Sequence, residues 1–358
     1  MGSLSWLHGQ LVSRLQKACG TKRRRWHGLR PLACDKTTLV LPESQPLWKC
    51  FGSHKGSRGL GPTAVELCCI FDLISRAPLR FVYGKVCTSE HSLLPKLIGR
   101  LKKGDLLLLD AGFYFCANLR KIMVRSAHFI IPANENLHPR VLRKLADSDY
   151  LCEIMDYSDK TTVTVRVLFA HRNGFRRRRL VTSLLDPIEF PASELARLYH
   201  MRWDIETFYR DFKCSLRATC WHCQTPESFD RELLMHMIVC CLIRIAMLEA
   251  CQPVKLPVQQ LSFARALTET RLFLKLLLVY TDVDLWASIW AAHVCCCAQH
   301  RVRYKPDRRF TRDRQEYRRK SRGLENRRKN NKRKYQEASP LPQPETRKGA
   351  KGHVFLLS

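Results

Sequence analysis

Residues 195–213 read LARLYHMRWDIETFYRDFK. On a helix turning about 100° per residue, Tyr199, Arg202, Glu206 and Lys213 fall on one narrow stripe, at about 0°, 300°, 340° and 320°. Ile205, Phe208, Phe212 and Leu216 cover the far side, at about 180 to 260°. A carboxylate with one cation a turn before it and another two turns after it has a definite chemistry. Glu206 can hold a divalent ion while Arg202 and Lys213 meet phosphate oxygens. An ordinary solvated face with Arg202 and Glu206 as an i,i+4 pair would carry the same residues. The stripe alone leaves these readings equal, and the upstream sequence separates them.

Two further acids sit where strand ends are expected. Leu32-Ala33-Cys34 runs into Asp35, ahead of a strand over residues 37–41 closed by Pro42. Residues 105–109, DLLLL, run into Asp110 before Gly112. A continuous apolar run ending in an acid and a glycine turn is the pattern of a buried strand with a site at its C-terminal end. Residues 64–73 and 79–86 read as a hairpin. Thr88 or Ser89 caps a helix carrying Leu93, Leu94, Leu97, Ile98 and Leu101, which Gly104 ends. Three antiparallel strands, a helix and a further buried strand predict an α/β fold with a mixed sheet. Residues 121–183 read as β-rich, with strands over 127–131, 150–155, 161–169 and 179–181, and separate the first half of the sheet from the Glu206 helix as an insertion. Further helices are expected over 229–250 and 256–278.

Adjacent strand ends would bring Asp35 and Asp110 together, and Glu206 would face them from its helix. Three such oxygen donors can share two hard divalent ions roughly 3.5 to 4 Å apart, the arrangement for in-line attack at phosphorus. Without cations the three charges would repel and raise one another's pKa values, so their convergence predicts metal. Each acid also has an ordinary use, Asp35 as a turn or cap residue and Asp110 as a turn acid before Gly112.

The charge points to the partner. The 358 residues carry 62 Lys and Arg against 32 Asp and Glu, a formal +30. Residues 301–335 hold 17 basic and 4 acidic residues, so +13 of that excess lies in one stretch. Lys22-Arg23-Arg24-Arg25 and Arg176-Arg177-Arg178-Arg179 repeat the theme. A polyanion is the expected partner, nucleic acid first. The tail loses apolar periodicity and is expected to be disordered without that partner. Residues 1–30 hold only a short amphipathic stretch (Leu4, Leu7, Leu11, Leu15) and a basic run. Seventeen cysteines, an odd number with several adjacent, read as reduced thiols of a cytosolic protein. Cys220-Trp221-His222-Cys223 is a lone C-x-x-C and a weak zinc candidate. No membrane span is expected, because Arg244 interrupts residues 235–248 and Asp282 and Asp284 interrupt the stretch around Trp286.

Together these residues resemble the DDE transposases of the insertion-sequence-4 group, related to the transposon Tn-five transposase. Tyr199, Arg202, Glu206 and Lys213 occupy the four positions of that group's Y-(2)-R-(3)-E-(6)-K signature. ACDKTTLVLPES around Asp35 and GDLLLLDAGFYF around Asp110 resemble its two aspartate motifs. The resemblance covers about residues 30–274. It implies an α/β, ribonuclease H-like mixed sheet with a β-rich insertion and a helical C-terminal part. The expected segments are a short basic N-terminal segment (1–30), the first half of the catalytic core (31–116), the β-rich insertion (117–190), the second half with C-terminal helices (191–300) and the basic tail (301–358).

By the same resemblance Asp35, Asp110 and Glu206 are the catalytic metal ligands, holding two Mg²⁺ ions for which Mn²⁺ can substitute. Tyr199, Arg202 and Lys213 contact DNA, and the basic run contributes Arg176, Arg177 and Arg178. The implied reaction is metal-dependent cleavage of double-stranded DNA at transposon ends, then attack of the freed 3′-hydroxyl on target DNA. The protein would act as a homodimer on DNA, in the bacterial cytoplasm at the nucleoid, with no membrane partner. Two features depart from the group: Lys36 follows the first aspartate where many members have Gly, placing a cation beside the metal site, and only 34 residues precede Asp35. They leave open a truncated, catalytically inactive DNA-binding remnant; a third reading is a structure-specific nuclease of the same fold that cannot transfer strands.

Overall fold

The chain begins with helix α1 (Gly2–Ala18), strand β1 (Arg30–Val40), helix α2 (Gln45–Phe51) and strands β2 (Ser53–Gly56), β3 (Gly59–Asp72) and β4 (Pro78–Lys85). Two single-turn helices, α3 (Glu90–Leu93) and α4 (Pro95–Ile98), precede strand β5 (Asp105–Leu108) and helix α5 (Cys116–Val124). Strands β6 (His128–Pro132), β7 (Arg140–Ala146), β8 (Asp149–Met155), β9 (Thr162–Ala170) and β10 (Arg178–Thr182) follow. Helices α6 (Ala192–His200), α7 (Asp204–Arg210), α8 (Pro226–Val254), α9 (Phe263–Val279) and α10 (Val283–Gln299) complete the order. This computed structural model describes residues 2–19, 25–56, 59–133, 137–156, 159–170 and 178–302. Arg176, Arg177 and the tail beyond Val302 lie outside the described residues.

The fold is mixed α/β. One sheet runs β2-β3-β1-β5-β6-β10-β9-β8-β7, with β4 also paired to β3. Its centre, β1, β5 and β6, is parallel, and the flanking pairs are antiparallel. Because side chains alternate along a strand, the sheet has two apolar faces. Ala33, Leu39, Leu67, Phe71, Leu106 and Leu108 pack beneath α1, α7 and α8. Leu32, Cys34, Cys68, Leu107 and Leu109 pack beneath α3, α4 and α5. Leu106 to Leu109 are all fully buried, which is why the run is continuously apolar; each such leucine contributes about 1.5 to 3 kcal/mol.

Several expectations are corrected. β1 is a single strand, so Asp35 lies within it and not at its end. The helix expected up to Gly104 is broken into α3 and α4, since Pro95 at the start of α4 has no N–H to continue the ladder. Its five leucine and isoleucine side chains are nevertheless buried. The helix expected from residue 256 starts at Phe263, after Pro257, where the Ser262 hydroxyl accepts from the Arg265 amide. Residues 117–190 begin inside α5, and their strands continue the main sheet through β6. The unforeseen β7 is an almost fully exposed edge strand held by pairing with β8, so it leaves no burial pattern to read. The N-terminal segment is a docked helix: His8, Leu15 and Cys19 are buried, and Arg14 pairs with Glu249 of α8 at 3.1 Å. Helix α8 is long and apolar enough to cross a membrane by composition, but it is mostly buried within the fold, as a core helix is.

Candidate active site

The site grows from a difference in strand length. β1 and β5 pair in parallel as far as Ala33 opposite Leu108, and two residues further on each chain stand Asp35 and Asp110. Here β5 ends: Leu109 still donates to the Ile130 carbonyl at 2.9 Å, and Asp110 then opens a short 3-10 turn, Ala111–Phe113. β1 continues to Val40 without β5 beside it.

The helical run packs over this step. It is not one regular helix. α6 tightens into a 3-10 turn over Met201–Trp203, becomes α7, and widens into a π turn over Asp211–Ser215. Ile205, Phe208 and Phe212 are fully buried against the sheet, with the Phe208 ring stacked on Phe71. Three polar side chains fasten the run to strand carbonyls. The Tyr199 hydroxyl donates to Leu109 at 3.0 Å, the Tyr209 hydroxyl to Asp35 at 2.7 Å, and Lys213 Nζ to Thr38 at 2.7 Å. These bonds satisfy acceptors where the ladder with β5 has stopped.

Between them lies Arg202, its side chain 5% exposed. The guanidinium reaches all three acids: Asp35 at 3.6 Å, Asp110 at 3.9 Å and Glu206 at 3.2 Å. Its Nη1 is buried without a hydrogen bond. One positive charge therefore faces three carboxylates. Burial pushes the Asp35 carboxyl up to about 6, with Asp110 and Glu206 adding to the rise, and Arg202 and the Lys36 amide opposing it. Burial works against the Arg202 charge, but Tyr199, Asp110, Asp35 and Glu206 together raise its pKa. Burial also pushes the Tyr199 phenol up to about 12 and lowers the Lys213 ammonium. Asp110 and Glu206 keep side chains 44% and 50% exposed, so the cluster opens to solvent on their side.

These donors suit a hard divalent cation: three carboxylates, one cationic neighbour, and an open mouth. Among the described residues, no three His, Cys, Asp or Glu side chains are already gathered closely enough to hold a metal ion. The Arg202 guanidinium stands among the acids instead.

The expected site residues meet different fates. Asp35, Asp110, Glu206 and Arg202 come together. Tyr199, expected at DNA, is buried and spends its hydroxyl on the Leu109 carbonyl at the end of β5. Lys213, in the π turn, is half-buried with its Nζ on the Thr38 carbonyl of β1. Arg178 is exposed on β10, and its charge is felt at Tyr199. Lys36, expected beside the metal site, points to the other face of the sheet, where Nζ donates to the Thr88 carbonyl at 3.1 Å and pairs with Glu66 at 3.5 Å. Strand alternation separates it from Asp35. Around the weak zinc candidate no third ligand joins Cys220 and Cys223 among the described residues, and His222 pairs with Glu232.

Sequence reasoning missed two supports. Asp204 pairs with Arg76 at 2.7 Å and Asp211 with Arg244 at 2.9 Å, so both ends of α7 are anchored to buried arginines. The signal was Arg244 itself, a lone charge in an apolar helix that must find a partner.

The family described as Transposase DDE domain matches residues 26–242. "Transposase InsG for insertion sequence element IS4" of Escherichia coli (strain K12) is 27% identical over 249 residues, covering 66% of this chain and 56% of that protein. The chain thus spans just over half the length of this curated relative. Among solved structures, the piggyBac transposase synaptic complex with hairpin DNA aligns with a TM-score of 0.41 at 8% identity, covering 74% of this chain and 53% of that one.

Proposed function

The chain belongs to the Transposase DDE domain family, and from that premise we propose that it cleaves DNA at transposon ends and joins the freed 3′-hydroxyl to target DNA. The observation that carries the reading is the gathering of Asp35, Asp110 and Glu206 around Arg202 where β5 stops and β1 runs on.

The three carboxylates are the residues that would hold the divalent ions, two Mg²⁺ for which Mn²⁺ substitutes. Bound there, they would activate the attacking water or hydroxyl and neutralise charge at phosphorus. Arg202 keeps the acids together and offsets part of their charge. Lys213, in the π turn after α7, is a second cation over β1. Tyr199 is a positioning residue that ties α6 to the end of β5. Arg178, with Arg176 and Arg177, supplies sequence-independent phosphate contacts. The mixed sheet is read as ribonuclease H-like, with the strands after β6 as its β-rich insertion. The partner is double-stranded DNA, held by a homodimer, and the setting is the bacterial cytoplasm at the nucleoid.

The test is incubation of a plasmid carrying the element and its terminal repeats with the full-length protein, Mg²⁺ or Mn²⁺, and Glu206→Gln in parallel. Metal-dependent cuts at the repeat boundaries, absent in the variant, are expected, on complexes whose mass corresponds to two protein chains. Folded protein that binds these ends but never cuts them, or cuts them equally well as Glu206→Gln, sinks the proposal.

A further inference from the structure

On the face of the sheet away from Arg202, a second group of reactive side chains meets. Cys87, in the turn after β4, is exposed. Its Sγ lies 3.4 Å from Nδ1 of His54 on β2. The other ring nitrogen, Nε2, lies 3.8 Å from a carboxylate oxygen of Glu66 on β3. Glu66 is buried, its side chain 3% exposed, and is held by the Thr38 hydroxyl at 3.0 Å and the Lys36 ammonium at 3.5 Å.

The turn that presents the thiol is firmly built. The Thr88 amide and hydroxyl both donate to the Lys85 carbonyl, the Val86 amide donates to Phe51, and Lys36 Nζ donates to the Thr88 carbonyl. Cys87 itself has a left-handed backbone, φ 63°, which aims its side chain back toward His54. Thiol, imidazole and buried carboxylate therefore stand in the order nucleophile, base and orienting acid. At 3.8 Å the Glu66 carboxylate is an electrostatic neighbour of Nε2 and not a hydrogen-bond partner; a proton on that nitrogen leaves Nδ1 facing the thiol. No other exposed cysteine among the described residues, Cys214, Cys220 or Cys295, has a histidine partner given to it by the fold.

We propose that Cys87 is a peroxide-sensitive modification site whose reactivity is set by His54 and Glu66. The proton of Cys87 passes to His54. The sulfur attacks one peroxide oxygen, an S–O bond forms and the O–O bond breaks. Sulfur is oxidised to sulfenic acid, and the leaving hydroxide, or alkoxide from an organic hydroperoxide, takes the proton from His54 to become water or an alcohol. The peroxide, hydrogen peroxide or an organic hydroperoxide, is the sole co-reactant.

The test needs neither DNA nor metal, so its failure is separable from failure of the transposase reading. Full-length protein is exposed to hydrogen peroxide with a sulfenic-acid trap, or separately to iodoacetamide, and labelling of each cysteine is followed by peptide mass spectrometry. Cys87 is expected to label at least about fivefold faster than Cys214, Cys220 and Cys295. His54→Gln, a change at a half-exposed side chain, should bring Cys87 down to their rate and leave theirs unchanged, with Glu66→Gln acting in the same direction. Equal labelling of all four cysteines in the unmodified sequence overturns the proposal without recourse to any variant. A Cys87 rate that survives His54→Gln overturns it too.

Discussion

Asp35 shows how one position sets the demands on its surroundings. Its folded pKa of about 6 lies above the ordinary 3.8 because the carboxylate is buried beside two others. A group whose folded pKa is raised binds protons more tightly in the folded state, so stability falls as pH rises between the two values. Below 3.8 both states are protonated and nothing is lost; above about 6 both are ionised and the full cost remains. Asp35→Asn should therefore be more stable than the parent at pH 7 to 8 without divalent ions, by about 1 to 3 kcal/mol. The gain should shrink toward zero near pH 4, as read by urea unfolding. A gain of the same size at both pH values would mean that repacking, not charge, is responsible. The identity of this acid was legible from Leu32-Ala33-Cys34 before it. Its company was not, because Arg202 comes from a helix far along the chain.

The decisive element is the helical run of α6, α7 and the turns around them. Its apolar face was readable from the spacing of Ile205, Phe208 and Phe212, all fully buried. Its polar stripe was only partly readable, because the 3-10 turn at Met201–Trp203 and the π turn at Asp211–Ser215 change the angle per residue. Those departures depend on what anchors the ends. Arg244 is 2% exposed, lies over the Phe263 ring at 4.5 Å, and holds Asp211 at 2.9 Å. Asp211→Asn should cost about 3 kcal/mol, since one partner of a buried pair is left uncompensated. Replacing both partners, as Arg244→Met with Asp211→Leu, should recover part of that loss. Denaturant midpoints of the two variants measure it; a neutral single change would remove the anchor role.

For the molecule as a whole, charge is the dominant fact. Of the formal +30, +13 lies in residues 301–335. If that stretch meets DNA phosphates, deleting residues 301–358 should flatten the plot of log affinity against log salt by about 0.9 for each phosphate that the tail had neutralised. An unchanged slope in a binding titration at several salt concentrations would confine the DNA contacts to the rest of the chain. The sequence by itself determined the three acids, the apolar strands before two of them, the stripe carrying the third and the basic character. These follow from local periodicity and composition, which backbone geometry imposes on near neighbours. Tertiary structure alone decided that β6 to β10 extend one sheet, that Lys36 meets Glu66, that Cys87 meets His54 and Glu66, and that Arg202 lies among the three carboxylates. Each depends on residues distant in sequence being brought together by strand pairing and burial, and no local pattern encodes which partner is chosen.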